Sequence, residues 1–200
     1  MSKKIIDAVK VLQQGGIVAY PTDTAYGLAV DATNAAAVKK LYKLKGRGFN
    51  KPIHIIPPTR VSIAKLVKLN PQTVKLIDNL MPGALTLVLP LKASGQSWKL
   101  LSAGTKTLGI RRPKHKLALD LAMLLGKPIT TTSANLSDKP NTYSIPEVKK
   151  QIKKGVYYLD GGKLKPNKPS TVVLLTGRRV KILREGPISE TQIKRALKLK

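Results

Sequence analysis

Four short polar runs each follow an apolar run. Each therefore falls at a strand end or a turn, where an α/β fold presents side chains to a ligand. They are Pro21-Thr22-Asp23-Thr24-Ala25-Tyr26-Gly27-Leu28, Lys45-Gly46-Arg47 with Lys51 following, Thr107-Leu108-Gly109-Ile110-Arg111-Arg112-Pro113, and Thr130-Thr131-Thr132-Ser133-Ala134-Asn135. Hydroxyls and amides at such ends can orient a small polar substrate. Arg grips a carboxylate or phosphate with two parallel N–H donors, and Lys acts as a point charge. Other chemistry is poorly supplied. No carboxylates are paired at a useful spacing, there is no Cys, and the two His are His54 and His115. Those counts exclude thiol catalysis and Cys-ligated zinc, and they disfavour a His-rich metal site. Neither a G-x-x-x-x-G-K-[ST] phosphate loop nor a G-x-G-x-x-G fingerprint is present. Charge neutralisation and positioning remain, and these dominate phosphoryl and nucleotidyl transfer.

The elements that must hold these runs are legible from periodicity. Ile5 to Leu12 has helical spacing and stops at Gly15-Gly16; Ile17 to Tyr20 reads as a short buried strand. Helices are expected over Ala35 to Leu44, Val61 to Val67, Thr73 to Leu80, Leu117 to Leu125 and Ile145 to Ile152. Strands are expected over Ile53 to Ile56, Leu85 to Leu89, Leu108 to Arg111, Ile129 to Thr132, Tyr157 to Leu159, Thr171 to Leu175 and Val180 to Leu183. Ser189 and Gln192 have the capping-box spacing for a last helix, Glu190 to Leu197. Lys92 to Thr107 and Gly161 to Pro169 read as loops. This alternation predicts an α/β class with a mixed, open sheet in one domain over residues 1–200.

The 200 residues carry 37 Lys plus Arg against 10 Asp plus Glu, a formal net charge of +27. With 42% hydrophobic residues the chain can build a core, so the charge does not mark a disordered basic tail. It points to an anionic partner. Aromatic residues are only 4%, which argues against a dedicated RNA module. No apolar run approaches the roughly 20 residues of a membrane span, and the N-terminus lacks a signal-peptide core, so a cytoplasmic protein is expected.

Across these runs the chain resembles the YrdC/TsaC family of threonylcarbamoyl-AMP synthases. The match takes in Pro21 to Leu28, Lys45 to Pro52, Pro82-Gly83-Ala84-Leu85-Thr86, Thr107 to Pro113, Ser133-Ala134-Asn135, Ser170-Thr171-Val172-Val173 and Leu183-Arg184-Glu185-Gly186, in family order. The resemblance implies a twisted sheet with a basic concave cleft, and a reaction of L-threonine, bicarbonate or CO2, and ATP that yields threonylcarbamoyl-AMP and pyrophosphate. It implies Mg2+ accompanying the triphosphate, and a downstream tRNA threonylcarbamoyl transferase as partner. The alternative is an RNA-binding protein of the same fold, acting on double-stranded RNA or tRNA or in ribosome maturation, and weak direct tRNA or RNA binding is a further use of the basic surface.

Carried over residue by residue, the family's K-x-R and S-x-N set falls on Lys45, Arg47, Ser133 and Asn135 as the catalytic, ATP-holding group. Two cations there would offset the roughly four negative charges of a triphosphate. Residue alternation in an extended segment would aim Lys45 and Arg47 the same way. The resemblance adds Lys51, Thr107, Asn141 and Arg184 to the nucleotide site. It places threonine among Thr22, Tyr26, Arg111 and Thr131, with Thr24 a weaker candidate. Asp23 receives no catalytic role, because a carboxylate facing a triphosphate repels it. His54 stands two residues before the position where many relatives carry a His, so its place at the pocket stays open. Arg112 and His115 are expected in solvent, and Trp98 as a lid or a loop anchor.

Overall fold

The protein is described by a computed structural model that covers residues 2–177 and 179–198. Eight helices and nine strands are described: α1 (Lys3–Gln13), β1 (Ile17–Pro21), β2 (Tyr26–Ala29), α2 (Ala35–Lys45), β3 (His54–Ile56), α3 (Ile63–Leu66), α4 (Pro71–Leu80), β4 (Leu85–Pro90), α5 (Gln96–Leu101), β5 (Thr107–Arg111), α6 (Lys116–Leu125), β6 (Ile129–Ser133), α7 (Ile145–Gln151), β7 (Val156–Tyr158), β8 (Thr171–Thr176), β9 (Arg179–Arg184) and α8 (Glu190–Leu197). The helix starts follow from their caps. Asn34 accepts from the amides of Ala36 and Ala37, Asn70 from Thr73, and Ser144 from Glu147. The expected capping box of Ser189 and Gln192 forms at α8. Such caps satisfy amides that the helix itself cannot, at about 1 kcal/mol each. Gly46 and Gly126 end α2 and α6 in the left-handed conformation, at φ 58° and 69°, where a Cβ is unfavourable.

The strands form one mixed sheet in the order β7-β1-β2-β6-β3-β5-β4-β8-β9. Pairs β1/β7, β3/β5 and β4/β8 are parallel, and the rest are antiparallel. This is the open mixed sheet that the alternation implied. Two elements escape the periodicity. β2 reads in sequence as part of a polar turn because Tyr26-Gly27 interrupts any apolar run. α5 lies within the stretch expected as a loop, and Trp98 is buried on it, in the core rather than in a lid.

Residue alternation sorts the sheet into two faces. One face carries Ile17, Ala19, Leu28, Ile55, Leu85, Leu87, Leu108, Ile110 and Val173, packed with side chains of α2, α4, α5, α7 and α8 into the larger core. On the other face, Val18, Tyr20, Ala29, Ile56 and Ile129 pack against Ile5, Ala8, Val9 and Leu12 of α1 and Ala118, Leu121, Ala122 and Leu125 of α6. Burying each large apolar side chain contributes about 1.5–3 kcal/mol, which is what holds these two helices on the sheet. The cover by α1 and α6 is partial. Farther along the same face Thr131 and His54, Thr86 and Arg111, and Arg184 opposite Val172 bring polar side chains to the sheet. The uncovered half of this face is the floor of a pocket.

Candidate active site

The pocket is lined by Thr22, Thr24, Arg47, His54, Arg111, Thr131, Ser133, Asn141, Ser170 and Arg184, with Ala25, Tyr26, Gly27, Pro52, Ile53, Thr132 and Pro169 around them. Three arginines therefore face one space, and no carboxylate is among its lining residues. Each arginine arrives by a different route. Gly46 turns the chain out of α2, so Arg47 stands beyond the helix end. Its Nε and Nη2 donate to the carbonyls of Lys51 and Pro52, at 3.2 and 3.0 Å. Arg111 ends β5, and its Nη2 donates to Asp23 Oδ1 and to Thr24 Oγ1, at 2.5 and 2.8 Å. Arg184 ends β9, and its Nε and Nη2 both donate to the Ser170 carbonyl, at 3.1 and 2.9 Å. That last placement needs Gly186: a Cβ there would lie 2.1 Å from the Pro169 carbonyl oxygen. Burial lowers the pKa of both Arg47 and Arg184; an arginine stays charged regardless.

His54, left open by the sequence, lines the pocket among all three arginines. Burial, then the charges of Arg184, Arg111 and Arg47, push its pKa down to about 4, so the ring is neutral at pH 7. It lies against the backbone of Gly109, where a Cβ would come within 2.2 Å of its Cδ2. Only glycine leaves room for the ring in this position. The depressed pKa has a stability consequence. Between pH 6.5 and about 4 the unfolded chain binds a proton at His54 that the folded chain rejects. The contribution is thus complete above pH 6.5 and is lost as pH falls through 4. Over that window the stability advantage of the wild type over His54→Asn is expected to shrink by about 3 kcal/mol. Urea unfolding of both proteins at several pH values measures it, and a pH-independent difference would refute the assignment of a neutral His54.

Other expected residues fall differently. Ser133 lines the pocket, and its Oγ donates to Asn135 Oδ1 at 2.6 Å. Thr22 lines it too, but its hydroxyl is already committed: it donates to the Ala25 carbonyl at 2.6 Å and accepts from the amides of Thr24 and Ala25. Tyr26 forms wall, as expected. Its hydroxyl donates to the Gly162 carbonyl at 2.7 Å and accepts from the Gly161 amide at 3.0 Å, organising the turn after β7. Thr131 and Asn141 reach the lining.

Four residues do not line the pocket. Lys45 is the last residue of α2, not part of an extended segment, so alternation does not align it with Arg47. It is 2% exposed, and its Nζ donates to the carbonyls of Ser133 and Asn135 and to Asn135 Oδ1, at 2.5, 2.6 and 3.1 Å. Burial and then Arg47 pull its pKa down to about 7. Three acceptors at one nitrogen need three N–H donors, which only the ammonium provides, so the bonding opposes that pull. Asn135 is buried as the other half of this knot, and its Nδ2 also donates to the Lys139 carbonyl. Thr107 begins β5 while Arg111 ends it; the strand's roughly 3.3 Å rise per residue carries Thr107 away, where it meets Thr105 Oγ1 at 2.9 Å. Lys51 points outward to Asp138 at 3.7 Å, with its side chain 50% exposed.

Asp23 lies outside the pocket lining and holds Arg111. Two smaller expectations are corrected. Arg112 is half-buried, with an Nη1 that has no described partner, rather than solvated. His115 precedes α6 without a side-chain capping bond and is half-buried too, with Nδ1 unpartnered. The signal for the missed Ser170 was its place in Ser170-Thr171-Val172-Val173. Its hydroxyl meets Thr86 Oγ1 at 2.9 Å across β4 and β8.

The comparisons agree with this architecture. Residues 10–186 match the Sua5/YciO/YrdC family model, described as telomere recombination. The chain belongs to the Sua5/YciO/YrdC family. A putative threonylcarbamoyl-AMP synthase of Methanocaldococcus jannaschii is 36% identical over 93% of this chain and 87% of its own length. The threonylcarbamoyl-AMP synthase of Bacillus subtilis is 36% identical over 95% of this chain but 55% of its own. Among solved structures, Pyrococcus abyssi Sua5 complexed with L-threonine superposes with a TM-score of 0.89 at 33% identity, covering 96% of this chain and 56% of that one. Escherichia coli YciO superposes at 0.80 with 27% identity, covering 92% and 89%. The chain thus spans just over half of the Bacillus and Pyrococcus relatives and nearly all of the Methanocaldococcus relative and YciO. The Sua5/YciO/YrdC sheet is the sheet described above.

Proposed function

We propose that this chain is a threonylcarbamoyl-AMP synthase, joining L-threonine, CO2 or bicarbonate, and ATP into threonylcarbamoyl-AMP with release of pyrophosphate. The observation that carries the reading is the convergence of Arg47, Arg111 and Arg184 on a hydroxyl-rich pocket whose lining has no carboxylate. Such a site suits substrates that bring several negative charges and supply their own nucleophile. Relatives named threonylcarbamoyl-AMP synthase, and an L-threonine complex of a structural neighbour, support it.

In this reading Arg111 takes the threonine carboxylate, with Thr24 and Thr131 beside it. Arg47 and Arg184 face the phosphates, and Ser133 and Asn141 orient nucleotide hydroxyls or phosphate oxygens. Threonine's amine adds to CO2 and loses a proton, forming a carbamate. A carbamate oxygen attacks the α-phosphorus, the bond to the β-phosphate oxygen breaks, and pyrophosphate leaves with that electron pair. Positive charge fixed before the reaction stabilises this step without reorganisation. Neutral His54 adds no further positive charge and can hydrogen-bond the carbamate or its water. With no carboxylate in the lining, the Mg2+ that accompanies ATP would be carried by phosphate oxygens and water. The product's destination is a tRNA threonylcarbamoyl transferase, which places the reaction in the cytoplasm. Among the described residues, no helix is long and apolar enough to cross a membrane.

The test is direct. Purified protein is incubated with ATP, Mg2+, bicarbonate and labelled L-threonine, and the labelled adenylate and pyrophosphate are measured. Formation of both, dependent on threonine, is expected. Folded protein that forms neither would overturn the reading.

A further inference from the structure

Asp23 stands where three segments meet. Its Oδ1 accepts from Arg111 Nη2, its Oδ2 accepts from the Lys114 amide at 3.1 Å, and its own carbonyl faces Asn167 Nδ2 at 3.4 Å. The Asp23–Arg111 pair is nearly closed to solvent, with side-chain exposures of 14% and 10%. Thr24 shares the same Nη2. Only one nitrogen of the Arg111 guanidinium is therefore committed to these partners. Its Nε is buried and has no partner among the described residues, although Arg111 lines the pocket. A buried N–H without an acceptor is costly. Nη1 makes no hydrogen bond among the described residues and is not among the closed-off atoms, so it is the donor left to face a ligand in the pocket.

We propose that Asp23 is a positioning residue for anion capture. It holds Arg111 by Nη2 and locks guanidinium rotation, so that the uncommitted Nη1 donors stay aimed into the pocket for an incoming carboxylate. The inference rests on the reading of this pocket as the threonine site, and it gives a role to the acid that charge arguments leave out. A free arginine would collapse onto nearby carbonyls, as Arg47 and Arg184 do. An arginine gripped by a carboxylate on one side keeps its direction and loses less entropy on binding. Asp23 also partly neutralises Arg111. That keeps the triphosphate on the Arg47 and Arg184 side and reserves Arg111 for a single charge.

Asp23→Asn separates these effects, because Asn keeps an acceptor for the Lys114 amide while removing the charge. The first readout needs no activity. In 15N spectra of the arginine side chains, Arg111 Nε–H is expected as a resolved, exchange-protected signal with slow rotation about the Nε–Cζ bond in the wild type. Both properties are lost in Asp23→Asn. An unchanged Arg111 signal would overturn the proposal. The second readout is kinetic: KM for L-threonine is expected to rise about tenfold or more, with KM for ATP within about twofold. A fall in kcat that tracks lost folded protein, with both KM values unchanged, would assign Asp23 a merely structural role and overturn it too. If the wild type makes no adenylate while the Arg111 signal responds to Asp23→Asn, the proposed function fails and the positioning stands.

Discussion

Lys45→Met is expected to destabilise the fold by about 3 kcal/mol, as well as to abolish synthesis. Methionine keeps the aliphatic length of the side chain but has no donor. It would strand the carbonyls of Ser133 and Asn135 and the Asn135 Oδ1, all gathered on one Nζ at 2.5–3.1 Å. Losing the partner of a buried acceptor costs about 1–3 kcal/mol, and more where the donor was charged, although relaxation recovers part of it. For a chain of this size the change corresponds to a melting temperature lower by about 6–12 °C. The catalytic loss follows from the same knot. Ser133 and Asn135 flank the turn after β6, Ser137 donates its amide to the Lys45 carbonyl, and Thr142 donates to the Ala134 carbonyl. Removing the ammonium frees that whole turn, and Ser133 loses its place in the pocket. Thermal and urea unfolding together with adenylate synthesis decide the matter. If activity vanishes at unchanged stability, Lys45 acts on the substrate directly, as the family motif alone would have it.

The Lys45 result marks where the sequence could be read and where it could not. Helices with a complete apolar stripe were legible, from α2 to α8 with its Ser189–Gln192 box, because those signals are local. The strands of the central sheet were legible from apolar runs bounded by Pro and Gly. β2 was not, because its burial comes from neighbours β1 and β6 rather than from its own composition. The site divides in the same way. Arg47, Arg111, Arg184, Thr131, Ser133 and Asn141 could be named from motif position, and they do line one pocket. Whether a motif residue points into that pocket depends on where its element ends. α2 runs one residue farther than the stripe suggested, and that residue is Lys45, which turns it from an exposed cation into a buried anchor. Thr107 fails for a related reason: it shares a motif with Arg111 but stands at the opposite end of the strand. His54 and Asp23 could be settled only by tertiary contacts, Gly109 beneath the one and Arg111 beside the other.

Arg111→Ala should raise KM for L-threonine by about 100-fold while leaving ATP affinity within about threefold. Charge-assisted hydrogen bonds to a buried carboxylate are worth about 1.5–3 kcal/mol, which is about 10–150-fold in binding, and Arg111 is the pocket arginine bonded to Thr24 and Asp23. Arg47 and Arg184 are braced on carbonyls of other segments and keep their positions in the variant. Arg111→Ala also strips Asp23 of its partner and leaves a carboxylate that is 14% exposed. An unpaired buried charge is costly in its own right, so the single variant is expected to be less stable as well as poorer at using threonine. The double variant Arg111→Ala with Asp23→Asn removes the stranded charge. It should regain stability without regaining threonine use, because the carboxylate's partner is still absent. Arg111→Lys keeps the charge but not the planar fork, and it should fall between the two. Calorimetric titration with L-threonine and with ATP, alongside urea unfolding of all four proteins, separates the two effects. Equal weakening of both ligands in the double variant would mean that threonine and ATP share Arg111, and the division of the pocket into a carboxylate side and a phosphate side would be wrong.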